Sequence, residues 1–183
     1  MQWEHDVAEK RGTEDLRRVA NASCSGMARS CETCGVPVNL ERFLDAQAPV
    51  IDAVMAELEA GVKRTHWMWF IFPQVKTLGH SSTAKYYGID SLDEAKAYAT
   101  HPVLGARLKA CTRAVLAHRD KSASAIFGSP DDLKFRSSMT LFSIAAPGEP
   151  LFRQALSQFY EGRPDPLTVA SCESADGSAS SRI

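Results

Sequence analysis

The sequence predicts an all-α protein: a single compact multi-helix domain at residues 38–169, between disordered N- and C-terminal tails. Apolar residues recur at helical spacing through this region, and capping patterns precede several of the stretches. No stretch alternates apolar and polar residues between hairpin turns. The chain has 183 residues, of which 44% are hydrophobic and 23% charged, so it is large and apolar enough to bury a core.

The first helical region begins at Asn39, a residue type that favours N-caps, and Gly61 is suited to end it. Pro49 interrupts the region, but the apolar stripe keeps its phase across it. We therefore expect either one kinked helix or two abutting helices. The stripe consists of Leu40, Phe43, Leu44, Gln47, Ile51, Val54, Met55 and Leu58.

Further helix starts follow along the chain. The pattern Ser91-x-x-Glu94 is a capping box, and Pro102 suits the first turn of the next helix. Ser129 and Pro130, followed by two aspartates, predict another helix start. The helix that they open is apolar on two sides, which indicates a central position. Residues 151–159 form a last amphipathic helix, and a short turn is expected after it.

The two terminal segments differ from the rest in composition. Residues 1–37 are a poorly ordered extension, and residues 170–183 are a small, polar, disordered tail. Cys24, Cys31 and Cys34 provide one C-x-x-C pair and one further cysteine, so a zinc site would need His5 as a fourth ligand. We predict no metal site and no cofactor, and the odd count of five cysteines argues against a disulfide framework.

Charge and hydropathy limit the partners and the location. The formal net charge is −1, without the basic excess of proteins that bind nucleic-acid phosphates, so no nucleic-acid partner is expected. No segment approaches the roughly 20 apolar residues that span a bilayer, so no membrane partner is expected. The first residues lack the order of a signal peptide, which predicts a cytoplasmic location. The sequence favours neither a monomer nor an oligomer.

The densest aromatic stretch is residues 66–74, which we call the aromatic block. Such a block is typical of a central core element, because large aromatic side chains tend to be buried. The alternative interpretation is that His66, Trp69 and Gln74 form the wall of a pocket that accepts a flat ring. The sequence contains no GxSxG, HExxH, P-loop or GxGxxG motif that would favour a known catalytic class.

The helix that starts near Asp131 carries the second set of candidates. Asp132 and His66 are the candidate catalytic residues, since a carboxylate beside an aromatic core can act as a general acid or base. Lys134, Arg136 and Ser137 are candidate binding residues. In the structural interpretation the acids cap the helix and the basic side chains are solvated. Capping does not explain three hydroxyl side chains in a helix expected to be buried: Ser137, Ser138 and Thr140.

Four stretches, residues 40–47, 66–74, 101–108 and 127–142, resemble the bacterial family known as domain of unknown function 1810. The likeness covers residues from Asn39 to Thr168 and implies a mainly helical fold without implying an activity. Some members of that family carry the label calpastatin, a kind of disordered repeat protein, whereas this sequence predicts a folded domain. A shorter likeness, consisting of an Ala-Gln pair, a His-Pro-x-Leu helix start and a Gly-x-x-Asp segment, is similar to the NADAR family, linked to ADP-ribose and related N-glycosides.

Two functions stay open on the sequence. The first is a small-molecule site, binding or hydrolysing a nucleotide or N-glycoside, between the aromatic block and the helix start at Asp131. It predicts that His66, Gln74, Asp132 and Lys134 converge on one cavity. The second is a non-catalytic protein interaction module, in which the same motifs serve folding and an apolar patch is exposed.

Overall fold

The computed structural model describes the backbone of residues 38–177 and the side chains of residues 38–174. This part of the chain is all-α, as predicted, with ten α-helices, a 3-10 helix at Lys76–Leu78 and no β-strand. Residues 1–37, and with them the predictions made for their cysteines, lie outside it. The helices are α1 (Glu41–Gln47), α2 (Ile51–Ala60), α3 (Met68–Ile71), α4 (Ser82–Tyr86), α5 (Leu92–Thr100), α6 (Leu104–Leu116), α7 (Ala123–Phe127), α8 (Asp131–Ala145), α9 (Leu151–Tyr160) and α10 (Pro166–Gly177).

Of the two arrangements expected around Pro49, the structure has two abutting helices, α1 and α2. A turn separates them, because proline cannot donate the backbone hydrogen bond that a continuous helix needs. Asn39 accepts a hydrogen bond from the backbone N–H of Glu41 over 3.0 Å. Gly61 ends α2 with a φ of 65°, the left-handed conformation that glycine adopts readily.

The long helix α8 is central, as its two apolar sides predict. It packs against α3, α5, α7, α9 and α10. Phe135, Met139, Leu141 and Phe142 are fully buried along it. Because α8 packs against these five helices, it supports both of the candidate sites described below.

The aromatic block is a core element, which confirms the structural interpretation of its large side chains. Trp67, Met68, Ile71 and Phe72 are all buried. The ring of Phe72 lies 4.9 Å from that of Phe135 on α8, at a steep edge-to-face angle. Edge-to-face contacts of this kind add stability beyond the buried area. Aromatic packing therefore holds the aromatic block against α8.

Residues 75–91 leave the helical core and return to it; we call this segment the excursion. Backbone hydrogen bonds join its two ends. Lys76 N–H donates to Ile89 O, and Ile89 N–H donates to Gln74 O, both over 2.9 Å. Gly88 permits this closure, since a Cβ there would lie 2.5 Å from the Cα of Lys76. These bonds therefore hold the start and the end of the excursion together.

Helix α10 is longer than the short turn expected after residue 164. Asp165 caps it by accepting from the N–H of Thr168, and Pro166 occupies the first helical position, where its missing N–H costs nothing. The backbone stays helical through Gly177, past residue 169, where the sequence predicts the domain to end. The physical reason is burial: Thr168 and Cys172 face the core, which stabilises the helix despite its polar composition.

Candidate functional site

The loop that carries His66 is organised by a residue that sequence reasoning missed, Glu57 on α2. Its carboxylate accepts from the backbone N–H groups of Arg64 and Thr65 over 2.7 and 3.2 Å, and from the Thr65 hydroxyl over 2.7 Å. It also accepts from Trp67 Nε1 over 2.8 Å. Burial raises the pKa of a carboxyl, but these four bonds outweigh burial and lower the pKa of Glu57 to about 2.

Asp131, rather than Asp132, is the acid that pairs with the two lysines beside the aromatic block. Its carboxylate lies 2.7 Å from Lys63 Nζ and 2.7 Å from Lys134 Nζ. The side chain of Lys63 is 8% exposed and that of Asp131 is 17% exposed, so this ion pair is mostly shielded from water. Burial raises the pKa of Asp131, but the hydrogen bonds and charges of Lys134 and Lys63 outweigh burial and lower the pKa below its ordinary value, so Asp131 stays ionised at neutral pH.

Both lysines also contact tryptophan rings. Lys63 Nζ lies 5.3 Å from the centre of the Trp67 ring, and Lys134 Nζ lies 5.0 Å from that of Trp69. These are cation–π distances. We call Lys63, Asp131, Lys134 and Trp69 the lysine–aspartate cluster. It joins the aromatic block to the start of α8, so two predicted binding residues, Trp69 and Lys134, do lie together.

The other predicted residues at this junction, Asp132, His66 and Gln74, lie outside the lysine–aspartate cluster. The Asp132 carboxylate accepts from the N–H of Leu133 over 2.9 Å, and the Asp132 carbonyl accepts from the Tyr160 hydroxyl over 2.6 Å. His66 is exposed on its loop. Gln74 is half-buried, and its carbonyl belongs to the backbone closure with Ile89. Two acids in one helical turn both suit the helix dipole, so the residue pattern alone does not distinguish Asp131 from Asp132.

Arg136 and Ser137 bind the segment that leads into α10. Arg136 donates to the carbonyls of Arg163 and Pro164, both over 3.1 Å. Ser137 Oγ donates a hydrogen bond shared between Leu133 O and Asp165 Oδ2 at 3.1 and 3.0 Å. These two predicted binding residues are thus engaged within the fold.

Asp165 accounts for two of the three α8 hydroxyls, Ser137 and Thr140. Besides Ser137, its Oδ2 accepts from the Thr168 hydroxyl over 2.6 Å, and its N–H donates to Thr140 Oγ1 over 2.9 Å. Ser137 and Thr140 therefore anchor the start of α10. The third hydroxyl, Ser138 Oγ, is buried and finds no hydrogen-bond partner within the described part of the chain.

A cleft lies between the excursion of residues 75–91 and α10; we call it the α10 cleft. Its volume is about 330 Å³, within the range of small-molecule sites. The floor is apolar and includes Leu141 of α8, while lysines and hydroxyls lie around it. The lining residues are Val75, Lys76, Thr77, Gly79, Lys85, Ile89, Asp90, Ser91, Leu92, Leu141, Ser171 and Cys172.

One hydrogen bond links the two walls of the α10 cleft. Thr77 Oγ1 and Ser171 Oγ lie 3.1 Å apart, although the residues are 94 positions apart in the chain. Within the excursion wall, Lys76 Nζ pairs with the Asp90 carboxylate at 2.8 Å. No sequence pattern points to this cleft, because its walls are far apart in the chain and meet only in the folded structure.

Elsewhere, the described residues hold no group of three or more His, Cys, Asp or Glu side chains placed to bind a metal ion. Cys111 and Cys172 are both buried thiols, and burial raises the pKa of Cys111 to about 12. No helix between residues 38 and 177 is long and apolar enough to cross a membrane.

The fold and its sites define a class of protein: an all-helical domain that carries the lysine–aspartate cluster at the start of α8 and the α10 cleft beside α10. The family model described as "Protein of unknown function (DUF1810)" matches residues 37–172, so the chain belongs to that family. The chain is also similar to the crystal structure of the conserved hypothetical protein Rv1873 from Mycobacterium tuberculosis, at 50% identity and a TM-score of 0.74. That match covers 75% of this chain and 99% of the other. A comparison with curated proteins finds no significant match.

Proposed function

We propose that this protein binds a small organic molecule in the α10 cleft. The observation that carries the proposal is a partly enclosed volume of about 330 Å³ with an apolar floor and polar groups around it. Binding sites for small molecules combine these features: apolar surface supplies affinity, and a few polar groups fix orientation. The family to which the chain belongs has no assigned function, so the proposal rests on this geometry.

The excursion wall is preorganised for binding. Its base is closed by the backbone bonds at Ile89, and Gly79 lies so close to α4 that a Cβ there would meet the backbone of Ala84 at 3.0 Å. A wall held in this way loses little conformational entropy when a ligand arrives. The opposite wall is α10, which Asp165 fixes at its start.

The proposal is tested with a thermal-shift screen of neutral, anionic and cationic fragments against the wild-type domain and variants that fill the cleft. Ser171→Trp places an indole on the α10 wall, and Thr77→Trp places one on the excursion wall. Ser157→Trp on α9 is the matched control, because Ser157 is exposed and does not line the cleft.

We expect fragments that stabilise the wild type and the Ser157→Trp control but neither cleft variant. A cleft variant enters the comparison only if it unfolds cooperatively. Because the two variants replace residues of different walls, a folding defect in one leaves the other informative. Fragments that stabilise all four proteins equally would show that binding occurs elsewhere and would contradict the proposal.

A second candidate function, a nucleotide or N-glycoside site at the lysine–aspartate cluster, is favoured by the contact between Lys134 Nζ and the Trp69 ring. A half-buried indole beside a cation suits a flat ring with an attached anionic group. His66 and Asp132 are the candidate catalytic groups of such a site. Thermal shifts with nucleotides and ADP-ribose that disappear in Trp69→Leu but persist in Ser171→Trp would support this site over the α10 cleft.

A further inference from the structure

Resting on the proposed function of the α10 cleft, we infer that its ligand is a small monocarboxylic acid with an apolar body. The carboxylate lies by Lys85 and Ser91, and the apolar body lies on the floor of the cleft. Three features of the α10 cleft favour this ligand class: the net charge of its lining, the hydroxyl protons that are free to donate, and its apolar floor.

The charges lining the α10 cleft leave one cation uncompensated. Lys76 and Asp90 form an ion pair at 2.8 Å and neutralise each other. Lys85, on α4, has no acidic oxygen within 4.0 Å among the side chains of residues 38–174. The lining therefore carries one net positive charge, which one carboxylate would balance and a dianion would exceed.

The hydroxyl protons favour an acceptor group on the ligand. Ser171 Oγ donates to Leu167 O over 2.9 Å, which uses its single proton. When Ser171 donates to Leu167, Thr77 is the donor in its contact with Ser171, and the Thr77 proton is used as well. Ser91 Oγ accepts from the N–H of Glu94 over 3.1 Å and keeps its proton for another partner. Lys85 and Ser91 thus both offer a ligand side-chain donors that no described residue accepts, beside the Lys76 ammonium, whose charge Asp90 balances.

The floor of the α10 cleft favours an apolar body. Leu141 and Ile89 are almost fully buried and add little surface that a ligand could cover, whereas Val75 is 8% exposed. Leu92 adds a partly buried side chain beside them. Apolar surface of this kind contributes affinity in proportion to the ligand area that it removes from water. A ligand made only of polar groups would leave it uncovered.

The test uses three probes with the same six-carbon body and different head groups: hexanoate, hexanamide and hexylammonium. Affinities are measured by NMR titration of the wild type, Lys85→Met and Lys96→Met. Lys96 is the matched control, because it is exposed, pairs with Asp93 on α5 and does not line the cleft. Methionine keeps the length of the lysine side chain without its charge.

We expect hexanoate to bind about tenfold more tightly than hexanamide, because a charged hydrogen bond is stronger than a neutral one. Lys85→Met should remove this difference by weakening hexanoate binding far more than hexanamide binding, and Lys96→Met should keep the difference. Raising the salt concentration should weaken hexanoate binding only.

The results of this titration test the ligand class and the proposed function separately. Equal binding of hexanoate and hexanamide in the cleft, or tighter binding of hexylammonium, would overturn the inference and leave the proposed function in place. Hexanoate binding that is unaltered in Lys85→Met would also overturn it. Failure of all three probes, together with a fragment screen in which nothing binds the cleft, would overturn both.

Discussion

Trp67 Nε1 donates a hydrogen bond to Glu57 Oε2 over 2.8 Å, and this bond ties the aromatic core to α2. The indole is 1% exposed, so the carboxylate satisfies a buried donor that water cannot reach. The same carboxylate holds the loop that presents His66. One acidic side chain thus sets the position of the loop at the edge of the lysine–aspartate cluster.

Glu57→Gln should destabilise the domain at neutral pH by about 1–2 kcal/mol. The amide oxygen accepts hydrogen bonds less strongly than a carboxylate oxygen, and the amide NH2 group would face N–H and O–H donors instead of acceptors. The folded pKa of about 2 lies below the ordinary value of 4.5. The carboxylate therefore stabilises the fold fully above about 4.5, and this contribution is lost as the pH falls toward 2. Urea unfolding between pH 7 and pH 2 measures both effects. A variant with wild-type acid sensitivity would contradict this role, and Glu59→Gln, an exposed neighbour on α2, is the control.

The two neighbouring acids of α8 should differ in their effect on stability. Asp131→Asn should cost about 1–3 kcal/mol, because Lys63 is mostly shielded and loses its anionic partner. Asp132→Asn should cost less than about 1 kcal/mol, because its carboxylate bonds only to an exposed N–H of its own turn. Since the pKa of Asp131 is lowered, its contribution is present at neutral pH and lost in acid. Denaturant unfolding of the two variants compares them, and equal losses would contradict the assignment.

Asp165→Ala should detach the start of α10. The substitution removes the acceptor for Ser137 and for two donors of Thr168, a residue that is fully buried. We expect a loss of about 1–3 kcal/mol and faster amide hydrogen exchange along α10 than in α8. Asp120→Ala, at an exposed position between α6 and α7, should leave exchange unchanged. Exchange that stays slow along α10 in Asp165→Ala would show that apolar packing alone holds the helix.

Gly105→Ala should destabilise the contact between α5 and α6. A Cβ at Gly105 would lie 2.1 Å from the carbonyl oxygen of Ala99, a backbone atom that cannot rotate away. The clash should outweigh the gain in helix propensity and cost about 2 kcal/mol in thermal unfolding. Gly148→Ala is the matched control, because a Cβ there would meet nothing within 4 Å. Equal melting temperatures for the two variants would be inconsistent with this close approach.

Much of the fold could be predicted from local patterns. Helical spacing and capping residues indicate the helices, and the density of large rings indicates the core, because these signals depend on neighbours in the chain. The end of the domain was harder to predict. Residues 170–177 are polar and small, and they are helical because Thr168 and Cys172 pack on α8, which is a tertiary effect.

The candidate sites were only partly predictable. Trp69 and Lys134 were expected together and lie in cation–π contact. The choice between Asp131 and Asp132 depends on the orientation of each side chain around α8, which the composition of one turn does not determine. The α10 cleft could not be found at all, since Thr77 and Ser171 come from distant parts of the chain.

The measurement that tests the central claim most directly is an NMR titration of the labelled domain with each fragment that stabilises it in the screen. Our account predicts saturable shifts of the amides of Thr77, Ile89 and Ser171, which belong to the two walls of the α10 cleft. Saturable shifts confined to Trp69 and Lys134, with the cleft amides unmoved, would contradict it and assign ligand binding to the lysine–aspartate cluster instead.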